Sequence, residues 1–216
     1  AGIGAVCHTI NPRLGPENAG YVINHAGDEW IFFDTTFTPL IEALAPHLKS
    51  VKNFVSLTDK TSMPDFSAGE LRSYEDMIAD ASDEIVWEIF DENTASGLCY
   101  TSGTTGDPKG VVTHHRGAYL NAVGNAMEWD MPHFPVYLWT LPMFHCNGWC
   151  FPWTLAAKAG VNVCLRRVEP VAILSAIAEH KVTHLCGAPI VMSMMIQLPE
   201  KERPDFDHPV AMMTAG

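Results

Sequence analysis

From Tyr100 to Gly110 the chain reads YTSGTTGDPKG, which puts three threonines, one serine, three glycines, one proline and a single lysine into eleven residues. An ordinary surface turn is built from Gly, Pro, Asp and Ser. Few turns carry so many hydroxyls and backbone donors with one cation at the end. Hydroxyls and unpaired N–H groups in a Gly-rich bend can wrap a phosphate without bulk, and a lysine adds a point charge for the outer phosphates. The stretch follows directly on ASGLCYTS (95–102), which reads as a buried strand, and that position favours a phosphate loop over a flexible turn. Two common phosphate loops are disfavoured. The pattern G-x-x-x-x-G-K-[ST] would need glycine where Pro108 stands and Ser or Thr where Gly110 stands. The pattern G-x-G-x-x-G fails because Ser102 to Gly106 offers only one Gly-x-x-Gly spacing.

Outward from this loop, strand and helix signals alternate. Toward the N-terminus, IGAVCHTI (3–10) reads as a strand, Pro16 to His25 as a helix, and EWIFFD (29–34) as a strand buried on both faces. In TPLIEALAPHLKS (38–50), Leu40, Leu44 and Leu48 recur at helical spacing. Pro39 fits the first turn of that helix and Pro46 ends or bends it. KNFVSLT (52–58) is the next strand. The acidic, less periodic stretch from Asp59 to Asn93 carries one short helix around Tyr74 to Ala81, faces solvent and is assigned no chemistry. Beyond the loop come a helix from His114 to Met127, strand VYLWTLP, a helix from Gly148 to Lys158, strand GVNVCLR, helix EPVAILSAIAEHK, strand VTHLCG, a helix through IVMSMMIQL and strand PVAMMTAG. This alternation predicts an α/β fold with mostly parallel sheets flanked by helices. Ligands in such folds gather at the carboxyl ends of strands. TSGTTGDPKG, PMFHCNGW and CGAP all lie there, which predicts one shared site.

Composition narrows the class. The 216 residues are 47% apolar and 18% charged, as in a globular protein with a sizeable core. A formal charge of −12 argues against a general nucleic-acid surface. No apolar run reaches membrane-spanning length, and AGIGAVCHTINPR lacks the basic region and apolar core of a signal peptide. Cys7, Cys99, Cys146, Cys150, Cys164 and Cys186 are spread through apolar segments, so buried thiols in a reducing cytoplasm are expected in place of a disulfide frame. His145 with Cys146 and Cys150 lacks the paired C-x-x-C spacing of zinc sites, and no metal site is assigned. The chain starts at Ala1 in an apolar run and closes on a strand, which reads as an internal fragment of a longer protein.

The loop resembles the signature of the adenylate-forming superfamily, which includes acyl-CoA synthetases, luciferases and the adenylation domains of peptide synthetases. Its pattern [YF]-T-S-G-[ST]-T-G-x-P-K-G is matched at every fixed position. PMFHCNGW (142–149) is similar to the family's second core motif, in which an aromatic or His borders the carboxylate pocket. MMTAG (212–216) resembles the start of the segment whose backbone lies against adenine, and GAVCHTINPRL (4–14) resembles the strand and loop preceding the sheet in acyl-CoA synthetases. PVYLWTLPMFHCNGWCFPW and GVNVCLRR are most similar to bacterial and plant ligases of short- or medium-chain and aryl-substituted acids, the neighbourhood of 3-methylmercaptopropionate ligases.

The resemblance implies part of the large N-terminal domain of an enzyme that uses ATP, Mg²⁺ and coenzyme A to turn a carboxylic acid into acyl-AMP and then acyl-CoA. It implies that Thr101, Ser102, Gly103, Thr104, Thr105 and Gly106 enclose the β- and γ-phosphates with Lys109 as counter-charge, and that Ala215 and Gly216 approach adenine. His145 would stand at the junction of acyl pocket and phosphate, with Asn147, Trp149, Gly187 and Ala188 shaping the pocket. For His145 and Trp149 the alternative is core packing. His114 and His115 are expected to cap a helix or face solvent, and the methionines of MSMMI to pack in the core. The family's Tyr-Gly-x-Thr-Glu motif with its Mg²⁺-holding Glu, the ribose-binding Asp, the hinge and the catalytic Lys of the small C-terminal domain do not occur before Gly216. This segment alone is therefore expected to be inactive. Transfer to a carrier protein, luciferase-like oxygenation and a non-catalytic ATP/AMP-binding module remain alternatives, and a homodimer is left open.

Overall fold

The computed structural model describes residues 1–101 and 106–215. These form two compact units, Ala1–Asp91 with Ser96–Val112, and Glu92–Ala95 with Thr113–Gly216.

The first unit holds β1 (Cys7–His8), α1 (Pro16–Ala26), β2 (Trp30–Phe33), α2 (Thr38–Leu44), β3 (Asn53–Ser56), β4 (Leu71–Ser73), α3 (Tyr74–Ala79), β5 (Ala95–Thr101) and the start of β6 (Lys109–His114). Strands β2, β3 and β4 form a parallel sheet, and β1 pairs in parallel with β5, which neighbours β6. Pro16 opens α1, where a missing N–H costs nothing. Gly27, at φ 73, closes it by donating back to Ile23 and Asn24. Helix α2 opens with Pro39 in its first turn, and a 3₁₀ turn containing Pro46 follows it (Ala45–His47). Ala19, Ile23, Ile31, Phe33, Ile41 and Leu44 make this unit's core.

Two expectations need correction here. The run around β2 is buried on one face only: Ile31 and Phe33 are 7% and 5% exposed, Trp30 and Phe32 41% and 49%. Helices α1 and α2 both supply side chains to the Ile31–Phe33 side, so the alternate residues are left outside. The first strand shrinks to Cys7–His8, because it meets β5 at only two residue pairs and Gly4, at φ 78, turns the chain before it. Strands β4 and β6 were not foreseen. Each is short or polar enough to lack a clear alternation.

The second unit continues with α4 (His115–Glu128), β7 (Val136–Trp139), α5 (Cys146–Trp149), α6 (Phe151–Ala157), β8 (Val161–Cys164), α7 (Pro170–His180), β9 (His184–Cys186), α8 (Pro189–Gln197) and β10 (Ala211–Met213). Its sheet is parallel throughout, in the order β10-β9-β7-β8. Side chains alternate across it. Tyr137, Trp139 and Cys186 pack with Phe151 and Leu155 of α6, while Leu138 and Leu185 pack with Ile173 and Ile177 of α7 and Val191 of α8. Met194 and Met195 are only partly buried and pack against the margin of this second cluster, so the core position expected of the methionine run is met in part. Burying a side chain such as Leu138 or Ile173, both at 0% exposure, contributes about 1.5–3 kcal/mol.

The helix expected over 148–158 is a shorter helix, α6, preceded by a turn of opposite hand. Pro152 lies in the first turn of α6, and Cys150 ahead of it is at φ 63, so a right-handed helix cannot begin earlier.

Candidate functional site

The second unit's strand order creates a switch point. From β7 the chain crosses over α6 to β8 on one side, then returns over α7 on the opposite face to β9 on the other side. Connections therefore diverge between β7 and β9, and the carboxyl ends of these two strands flank the place where such sheets bind ligands. Pro142–Trp149 follows β7, Gly187 and Ala188 follow β9, and Thr214 and Ala215 follow β10. Two bonds tie the three ends together: the Thr140 hydroxyl donates to the Cys186 carbonyl, and the Gly187 N–H donates to the Met213 carbonyl at 3.0 Å. Gly187 is closely packed: a Cβ there would lie 3.3 Å from the Met212 and Val191 side chains, so one of them would have to shift by a few tenths of an ångström. Burial pushes the Cys186 thiol up to about 11, so it stays protonated and packs as a small apolar group.

The motif after β7 has an unusual backbone. Cys146, Asn147, Gly148, Trp149 and Cys150 have φ of 46, 48, 64, 54 and 63° in succession, a left-handed helical turn. Left-handed residues other than glycine cost about 1–2 kcal/mol each, so the fold must over-determine this turn. Asn147 tolerates the conformation and is buried, and Gly148 is required. A Cβ on Gly148 would lie 2.8 Å from the Trp139 ring. Asn125 of α4 donates to the Trp149 carbonyl and the Thr154 hydroxyl, both at 3.3 Å. His145 precedes the turn, exposed, with its carbonyl accepting from Gly148 N–H at 2.9 Å. Trp149 is half-buried against the Tyr137–Trp139 cluster, so packing accounts for one side of it.

The phosphate-loop stretch belongs to the first unit. Thr101 ends β5 and Lys109 starts β6; the Thr101 hydroxyl lies 3.5 Å from the Lys109 carbonyl, which it faces as donor. Both residues are exposed, as is Gly106, whose φ of 104° is a glycine conformation. Ser102, Gly103, Thr104, Thr105 and Gly216, also expected to bind nucleotide, lie outside the described residues. In β5, before the loop, the Tyr100 hydroxyl and His25 Nδ1 are hydrogen-bonded at 2.7 Å. His8 Nδ1 meets Asp28 at 2.7 Å, with the His8 ring 5.2 Å from that of Tyr100. Burial, with the Asp28 charge nearby, raises the Tyr100 phenol above its ordinary value. His114 caps α4, accepting from Gly117 N–H at 2.7 Å, as foreseen for a helix-opening histidine.

The AMP-binding enzyme family profile matches residues 1–216, the entire chain. The chain belongs to the AMP-binding enzyme family. It is 40% identical over 99% of its length to the acetate/butyrate–CoA ligase AAE7, peroxisomal, of Arabidopsis thaliana, covering 40% of that protein. It is 38% identical, again over 99%, to the trans-cinnamate:CoA ligase, peroxisomal, of Petunia hybrida, also covering 40% of it. The chain thus spans about two-fifths of the length of these relatives. Among solved structures, the luciferase-like enzyme from the nonluminescent mealworm Zophobas morio superposes at TM-score 0.80 with 21% identity, over 99% of this chain and 48% of that one. That likeness establishes a fold shared with that enzyme.

Sequence reading missed the supports of the family motifs: His8, His25 and Asp28 beside Tyr100, and Trp139, Asn125 and Asn162 around the left-handed turn. The partners in these contacts are 20 or more residues apart, so no local spacing announces them. Among the described residues no group of three or more His, Cys, Asp or Glu could hold a metal ion.

Proposed function

We propose that the whole protein activates a carboxylic acid, of short or medium chain length, to its CoA thioester at the expense of ATP. The observation that carries this reading is that the His145 turn and Gly187–Ala188 follow the adjacent strands β7 and β9, whose carboxyl ends are bonded through Thr140 and Cys186 at the switch point, on a chain 40% identical to a protein named acetate/butyrate–CoA ligase. In this reading the chain is a segment of the large adenylating domain, which its two-fifths coverage of the relatives supports. The acid's carboxylate oxygen attacks the α-phosphorus of ATP and pyrophosphate leaves. The CoA thiol, losing its proton, then displaces AMP from the acyl carbon.

The chain's own residues bind and orient these groups. Thr101 to Gly106 offer hydroxyls and N–H groups to the outer phosphates, and Lys109 supplies the positive charge that offsets repulsion between two anions. His145 borders the reacting carboxylate, with Asn147, Trp149, Gly187 and Ala188 around the acyl chain and Ala215 and Gly216 toward adenine. Mg²⁺ bound with ATP would offset the triphosphate charge alongside Lys109; among the described residues no group of three or more His, Cys, Asp or Glu could hold the ion. The names of both plant relatives include the word peroxisomal, whereas the sequence alone suggests a cytoplasmic protein. Imaging of the tagged full-length protein decides the compartment.

Acid-dependent ATP–pyrophosphate exchange by the full-length protein tests the proposal, across acetate to dodecanoate, benzoate, cinnamate and 3-methylmercaptopropionate. Exchange and thioester formation with the shorter acids are expected. ATP binding without exchange for any acid would point to a nucleotide-sensing module.

A further inference from the structure

On the sheet face that meets α6, Asn162 of β8 stands opposite Tyr137 and diagonally next to Trp139 of β7. The Trp139 indole N–H donates to the Asn162 side-chain oxygen at 2.8 Å. The indole has one donor and two torsions, so a single bond to its N–H, with packing on its faces, fixes the ring. Tyr137 supplies that packing, edge-on at 4.9 Å between ring centroids. The far edge of the same ring lies where a Cβ of Gly148 would be, 2.8 Å from Trp139 Cζ3 and 3.2 Å from Cη2. The strained turn therefore rests its one glycine on a ring whose orientation is set by Asn162. Rotation of the ring would remove the surface against which the turn is formed, and His145, Asn147 and Trp149 would move with it.

We propose that Asn162, acting through Trp139, is a positioning residue that holds the left-handed turn of residues 146–150 and so sets how well the acid is bound. The inference rests on the acid-pocket role proposed for that turn. Asn162 is exposed on the edge strand β8, so its replacement leaves the core intact. The interaction is geometric and needs only an acceptor, which Asp supplies and Leu does not.

Three variants of the full-length protein test this: Asn162→Leu, Asn162→Asp and Trp139→Phe, which keeps a ring and loses the N–H. Asn162→Leu is expected to raise the KM for the acid on the order of tenfold, since small displacements of positioning groups cost one to two decades, while the KM for ATP stays within about twofold. Trp139→Phe should reproduce that split and Asn162→Asp should rescue it. Hydrogen exchange across residues 143–155 supplies a readout without turnover: faster in Asn162→Leu and Trp139→Phe, unchanged in Asn162→Asp. Equal changes in both KM values, or unchanged exchange, overturns the inference even in an active enzyme. Faster exchange in a protein that activates no acid would instead leave the clamp standing and overturn the proposed function.

Discussion

At the scale of single residues, charge and backbone hand do different jobs in the two motifs. Lys109 is an exposed cation at the first position of β6, and among the described residues it forms no ion pair. An exposed side chain of this kind contributes little to folding, so the phosphate role proposed for Lys109 can be tested without unfolding the protein. A hydrogen bond to a charged group is worth about 1.5–3 kcal/mol, a factor of about ten or more. Lys109→Ala is therefore expected to raise the KM for ATP by on the order of tenfold, with the KM for the acid and the melting temperature unchanged. Parallel loss of ATP and acid affinity would remove Lys109 from the phosphate role. The left-handed run from Cys146 to Cys150 is the converse case, with conformational strain held in place by neighbours.

At the scale of elements, the junction of β6 and α4 shows how a motif is anchored to the fold. His114 ends the strand, and its ring accepts from Gly117 N–H, satisfying one of the donors a helix start leaves open. Gly117 is the matching half of the cap, because a Cβ there would lie 2.9 Å from the His114 ring. His114→Ala should destabilise the protein by about 1 kcal/mol, the usual cost of losing an N-cap, and His114→Asn should recover most of it. Urea denaturation of the three proteins provides the comparison. Equal stability of wild type and His114→Ala would show that the bond contributes nothing net.

At the scale of the whole molecule, stability should depend on pH through a buried histidine. His184 of β9 is 6% exposed, set edge-on to Trp129 at 5.0 Å, with Nδ1 against the Thr183 hydroxyl at 2.8 Å. Burial lowers its pKa below the ordinary value of 6.5, so the folded state resists the proton that the unfolded chain takes up. The unfolded state then binds more protons, and stability present above about pH 6.5 is lost as pH falls toward the depressed folded value. Glu42, Asp59 and Asp207 also sit below their ordinary values, through hydrogen bonds from Ser67, Thr61 and Lys181, but these exposed carboxyls titrate at lower pH. Melting temperature should therefore fall as pH drops from about 7.5 to 5.5, and His184→Gln should flatten that slope. An unchanged slope in the variant would assign the loss to other groups.

Read alone, the residues determined what acts over a few positions. The alternation of β-branched runs with helical periodicity announced the parallel α/β class. Prolines marked the starts of α1 and α2, His114 the start of α4, and YTSGTTGDPKG the family. Each depends on backbone torsions, donors and spacing within one or two turns of chain. Tertiary structure alone decided the order β10-β9-β7-β8, the single buried face of β2, and the contacts of Trp139 with Asn162 and of Tyr100 with His25. These join residues 23 and 75 positions apart, and the left-handed turn exists only because such neighbours outweigh its local preference for the opposite hand.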